Sequence, residues 1–155
     1  MWMVLLYGLL VGAANVFIHA VGTYSNLSWI LPTLRKHPTL PFARAWWLLL
    51  GIVGVLLSLH AVEVALWAEV YVALHSFPNT ETAYYYSLVT YTTLGYGDVL
   101  LPRAWRLLGG MESMIGVLMF GWSTAARAAF LHYVQEARIR TLFGTSAAED
   151  AATAV

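Results

Sequence analysis

The chain has 155 residues, 60% of them hydrophobic and only 10% charged, with eight basic side chains against eight acidic ones. Soluble domains carry about 25% charged residues, so this composition excludes an ordinary water-soluble domain and points to a bilayer. The balanced charge leaves no basis for a nucleic-acid partner. The lack of cysteine excludes disulfides and thiolate metal sites, and the five histidines (His19, His37, His60, His75, His132) have no zinc-ligand spacing.

Residues 1–22 form the first apolar stretch and hold no acidic or basic side chain. A bilayer core takes roughly 20 helical residues to cross, so this stretch is long enough to span. It lacks the positive n-region and small-residue cleavage site of a secretory signal, and is expected to stay in the membrane as a helix. Residues 23–44 are expected to form a loop, because Pro32, Pro38 and Pro41 interrupt helical backbone. Arg35, Lys36 and Arg44, with no acid among them, assign that loop to the cytoplasmic side.

A second span is expected over residues 45–74, broken only by His60, Glu63 and Glu69. Residues 80–92 are too short to cross and lead into a glycine-rich run at 93–97, the pattern of a segment that enters and returns on one side. Non-helical backbone at membrane depth is tolerated only where protein buries it or where it lines an aqueous path. The third span covers residues 105–133 and contains Arg106, Glu112 and Arg127. Residues 134–155 read as a short tail, helical to about residue 143 and then Ala-rich and unstructured. Arg127, Arg138 and Arg140 put this end in the cytoplasm, with the N-terminus and the re-entrant segment outside; Arg103 and Arg106 count against that orientation. Trp46, Trp47 and Trp105 sit at span ends, where amphipathic rings anchor to the headgroup level.

Thr93-Leu94-Gly95-Tyr96-Gly97 matches the T-V-G-Y-G filter of potassium channels except for Leu94 in place of valine. The match extends to Tyr85–Tyr91, which resembles the preceding pore helix, and to Asp98, which resembles the acid that follows the filter. Over residues 43–133 the chain resembles the bacterial-type two-transmembrane, pore-loop potassium channels, with one extra N-terminal transmembrane helix. A bare G-Y-G would also suit a hairpin turn between two helices; the longer match and the flanking spans favour the filter.

The resemblance implies an all-α membrane protein: outer helix, re-entrant pore helix with filter, and inner helix, in a four-fold symmetric tetramer. It implies a passive potassium-selective channel in the plasma membrane and no enzyme. The carbonyls of Thr93, Leu94, Gly95 and Tyr96, with the Thr93 hydroxyl, would replace the water shell of K+, the permeant ion. Turning successive carbonyls to one side requires positive φ, which explains Gly95 and Gly97. Four such loops surround one axis, so one loop per chain implies a homotetramer bathed by membrane lipids. No organic cofactor is implied, and the tail is too short for a soluble ligand domain. No span carries arginine at every third position, so there is no voltage sensor of the usual kind.

Further roles follow from the same resemblance. Asp98, Tyr85, Thr92 and Thr90 would support the filter, with a contact between Tyr85 and Asp98. Tyr96 would turn from the axis and brace on pore-helix aromatics. Val89 stands where some relatives have a glutamate paired with the acid after the filter, so Asp98 lacks that partner. Gly116, Phe120, Thr124, Ala128 and His132 match the inner-helix face that lines the cavity and gate; Gly116 suits either a hinge or close helix packing.

Charged groups inside a bilayer are expensive and are functional candidates. At about 1.5 Å rise per residue, Glu63 and Glu112 both fall roughly 10–15 Å below the outer surface, the depth of the pore helix. With His60, one turn from Glu63, they are expected to form one polar cluster behind the filter, bonded to Thr90 or Tyr91; the alternative is that Glu63 faces the first span or stays protonated. The first span is expected outside the second, against lipid. Two other readings fit part of the pattern: a non-selective monovalent cation channel and a non-conducting regulatory subunit.

Overall fold

A computed structural model describes residues 2–36 and 41–153; His37 and Pro38 lie outside the described residues. Four helices follow in order: α1 (Trp2–Lys36), α2 (Phe42–Ala73), α3 (Thr80–Tyr91) and α4 (Arg106–Thr153). Three of them are long and apolar enough to cross a membrane, over Trp2–Leu34, Ala43–Ala73 and Arg106–Ile139. The protein is an all-α membrane protein.

The short helix α3 is wedged between α2 and α4, and α1 packs against both of those long helices. The start of α3 is set by Asn79, whose side-chain oxygen accepts from the Thr82 amide at 2.8 Å, with Glu81 in the first turn to complement the helix dipole. Its last residue, Tyr91, delivers the chain straight into Thr92 and the glycine-rich run. The core between the elements is built on Trp67, Tyr71, Tyr91 and Leu108, all fully buried. Lipid tails are as apolar as these side chains, so close packing and hydrogen bonds hold the helices together, more than transfer from water does.

α1 departs from expectation in two ways. It does not end near Gly22 but runs to Lys36, carrying Pro32 within it, so most of the expected loop is helix. The reason is a continuous packed stripe: Val4, Gly8, Gly12, Asn15, His19, Asn26, Ile30 and Leu34 are all buried, at helical spacings of three, four or seven. The lower part of the stripe packs on Ile52, Leu56 and Phe130. Neighbouring helices make a proline tolerable in such a span. Second, α1 does not merely lie against lipid outside α2. Gly8 and Gly12 leave room for Met111 and Ile115 of α4, and Gly22 for Leu59 of α2.

At the other end, α4 continues as helix to Thr153, where an unstructured Ala-rich tail was expected after residue 143. Alanine is the strongest helix former, so an Ala-rich stretch can extend a helix. Gly116 lies inside this continuous helix. A Cβ there would collide with the Tyr91 carbonyl oxygen, so the glycine lets α4 approach the foot of α3, and close packing accounts for it.

Candidate functional site

Tyr91 ends α3, and the next residues leave helical geometry at once. Thr93 has φ 60°, Gly95 φ 53° and Gly97 φ 78°. Glycine takes this region freely, but a β-branched residue does not, and Thr93 carries a strain of about 1 kcal/mol or more. The amides of this run turn back on α3: Thr93 N donates to Thr90 O at 2.9 Å, and Leu94 N and Gly95 N both donate to Val89 O, at 3.0 and 3.2 Å. In a planar trans peptide the preceding carbonyl points opposite to the N–H. The carbonyls of Thr92, Thr93 and Leu94 are therefore aimed away from α3. The C-terminal end of the α3 dipole, which favours positive charge, faces the same turn.

Residues 92–98 are all exposed within the single chain. Tyr96 is 68% exposed, so the brace expected from it is not made inside its own chain. Thr92 Oγ1 donates to Leu88 O at 2.7 Å, and Thr90 O accepts from Ser113 of α4 at 2.9 Å. At the far end of the run the expected contact is present: the Tyr85 hydroxyl donates to Asp98 at 2.7 Å. That bond raises the Tyr85 pKa, and a bond to Glu69 raises that of Tyr84 in the same way.

The buried acids form two groups, correcting the single cluster expected. Glu112 is bonded to Tyr71, whose hydroxyl donates at 2.7 Å, and to Ser87 in the middle of α3. Glu63 lies in a separate network, where it accepts from His19 Nδ1 at 2.8 Å, from His60 Nδ1 at 3.1 Å and from the Tyr91 hydroxyl. Ser123 of α4 closes this network against His60 Nε2 at 3.0 Å. His60 also stacks on Phe120, with ring centroids 4.5 Å apart. Thr90 bonds neither acid. Both carboxylates are fully buried and multiply bonded, the condition under which a polar group survives in an apolar interior.

His19, His60 and Glu63 each offer a ligand atom within 4.8 Å of the others, a spacing that metal sites also use. Their contacts with one another are those of direct hydrogen bonds, at 2.8 and 3.1 Å. Glu63 does meet the first span, as the alternative reading has it, through His19; Tyr71, Ser87 and Ser123 are the partners that sequence reasoning missed.

On α4, Phe120, Thr124, Ala128 and His132 are exposed and lie four residues apart on one face, while Gly116 is turned inward to Tyr91. Thr124 donates to Phe120 O at 2.8 Å. Arg127 folds back along its own helix onto Ser123 O and Thr124 Oγ1.

Residues 59–133 match the family model described as "Ion channel". The match takes in the second half of α2, all of α3, the glycine-rich run and α4 to Tyr133; α1 lies outside it. None of the curated proteins and none of the solved structures matches the chain.

Proposed function

Because residues 59–133 match the ion-channel family model, we propose that this chain is one subunit of a homotetrameric, potassium-selective channel whose filter is Thr93–Gly97. The observation that carries the reading is the backbone at 92–95: amides folded onto the last turn of α3, carbonyls turned away from it, and positive φ at Thr93, Gly95 and Gly97. Rings of carbonyls aimed at an axis are what replaces the hydration shell of K+.

A single chain presents one such loop and leaves it uncovered, which non-helical backbone at membrane depth does not tolerate. Four copies around one axis cover the loops with each other and complete the carbonyl rings. In that arrangement Phe120, Thr124, Ala128 and His132, on the bare face of α4, line the cavity below. Asp98 and Tyr96 face outside, and Arg35, Lys36, Arg44, Arg127 and Arg138 lie in the cytoplasm, outnumbering Arg103 and Arg106 outside, as the positive-inside rule favours for a plasma-membrane protein.

The test is ion flux through purified protein in liposomes. The reading expects potassium flux that barium or a quaternary ammonium ion blocks, and little sodium flux. Equal fluxes would make the chain a non-selective cation channel, and no flux of either ion would make it a non-conducting subunit.

A further inference from the structure

We infer that α1, which lies outside the matched channel segment, is a working part of the filter support, and that His19 is a positioning residue acting on Tyr91 through Glu63. The route is short and entirely buried. His19 Nδ1 meets Glu63 Oε1 at 2.8 Å; the other carboxylate oxygen, Oε2, takes His60 Nδ1 at 3.1 Å and the Tyr91 hydroxyl. Tyr91 is the last residue of α3, two positions before Thr93, so anything that moves its ring moves the origin of the carbonyl run.

The division of labour on the carboxylate makes His19 specific. Oε2 has two partners, whereas Oε1 has only His19 among the hydrogen bonds of the described residues. An ionised carboxylate accepts and does not donate, so both rings present Nδ1–H to it. Ser123 then serves His60 Nε2 at 3.0 Å, with His19 Nε2 further off at 3.4 Å. Without His19, a fully buried oxygen has no donor. The carboxylate then rotates to share the two donors left to it, and the Tyr91 bond loosens. A buried acceptor deprived of its partner costs more than the bond itself was worth.

The fit of α1 supports the assignment. His19 belongs to the stripe that packs on α2 and α4, between Gly12 and Gly22, whose missing side chains admit Ile115 and Leu59. Asn15, one turn earlier, accepts from Trp67 of α2 at 3.1 Å. The helix is thus locked in rotation by polar contacts on the face that carries His19. A helix serving only as a lipid-side anchor needs neither a buried imidazole nor a buried amide.

The inference rests on the channel reading for its flux measurement only, and a second measurement is independent of conduction. His19→Leu keeps the volume and removes the donor, whereas His19→Asn keeps a donor at the δ position. In assembled protein, His19→Leu should raise hydrogen exchange at the Thr93, Leu94 and Gly95 amides by about tenfold, and His19→Asn should restore it to within about twofold of wild type. Potassium flux, where wild type conducts, should fall and recover in parallel. In a Glu63→Gln background His19→Leu should add little, since the carboxylate through which it acts is gone.

Unchanged exchange in His19→Leu, equal losses in the Leu and Asn variants, or a full additional loss in the Glu63→Gln background would each overturn the assignment. If His19→Leu fails to fold while His19→Asn folds, the same comparison is made with His19→Gln, whose donor sits one bond too far out; wild-type exchange in that variant would also overturn it. Absence of flux in wild type would refute the channel reading and leave the exchange result to decide this one.

Discussion

The two ends of the re-entrant segment are held in opposite ways. At the inner end Tyr91 is fully buried, bonded to Glu63, edged against Phe120 at 5.7 Å between centroids, and covered at its carbonyl by Gly116. At the outer end Asp98 and Tyr96 are exposed, and Tyr85 supplies one hydrogen bond. The chain fixes the origin of the carbonyl run by itself and leaves its far end exposed. Desolvated bonds are strong and costly to break, while exposed ones exchange easily with water. On the channel reading, persistence of the conducting shape is decided at the outer end, and existence of the filter at the inner end.

That contrast is broken most severely at Gly116. Gly116→Ala drives a methyl into backbone that cannot step aside, and should destabilise the folded protein by about 1–3 kcal/mol and abolish flux. Gly110→Ala, where a Cβ meets nothing within 4 Å, should be neutral or stabilise by up to about 1 kcal/mol. Thermal unfolding of the two variants in one detergent measures the difference; equal behaviour would mean that α4 and α3 are not in contact there.

Next in size is Tyr91→Phe. Removing its hydroxyl leaves Glu63 Oε2 with His60 alone, and should cost about 1–2 kcal/mol and reduce flux several-fold. Ser87→Ala, which takes one of two donors from Glu112, should destabilise by about 1 kcal/mol. It touches the middle of α3 and not its foot, so its loss of flux should be smaller than that of Tyr91→Phe. The reverse order would put the decisive support at Glu112. Tyr85→Phe should leave thermal stability within error, because the bond is exposed, yet shorten the time for which current is sustained under maintained recording.

Much of this was readable in the sequence because the signals are local. Span lengths follow from runs of apolar residues, the short α3 from its length and flanks, and the turn from five consecutive residues. The partnership of the acids was not readable. Helical rise places Glu63 and Glu112 only to within about a turn and does not say which way each points, so similar depth does not make them partners. They meet the same face of α3 one turn apart, Glu112 at Ser87 and Glu63 at Tyr91. The role of His19 had a signal that spacing alone carries: Gly8, Gly12, Asn15, His19, Gly22 and Asn26 recur every three or four residues in a largely apolar helix. Small and polar residues on one face mark a packed surface in membrane helices. The length of α1 was missed because a proline that ends a helix in water is tolerated between packed neighbours.

The central claim, that the run from Thr93 to Gly97 selects potassium, is tested most directly by the reversal potential of current through purified protein in a planar bilayer, with potassium on one side and sodium on the other. The account predicts a reversal potential displaced strongly toward the potassium equilibrium value. Current that reverses near zero would contradict it.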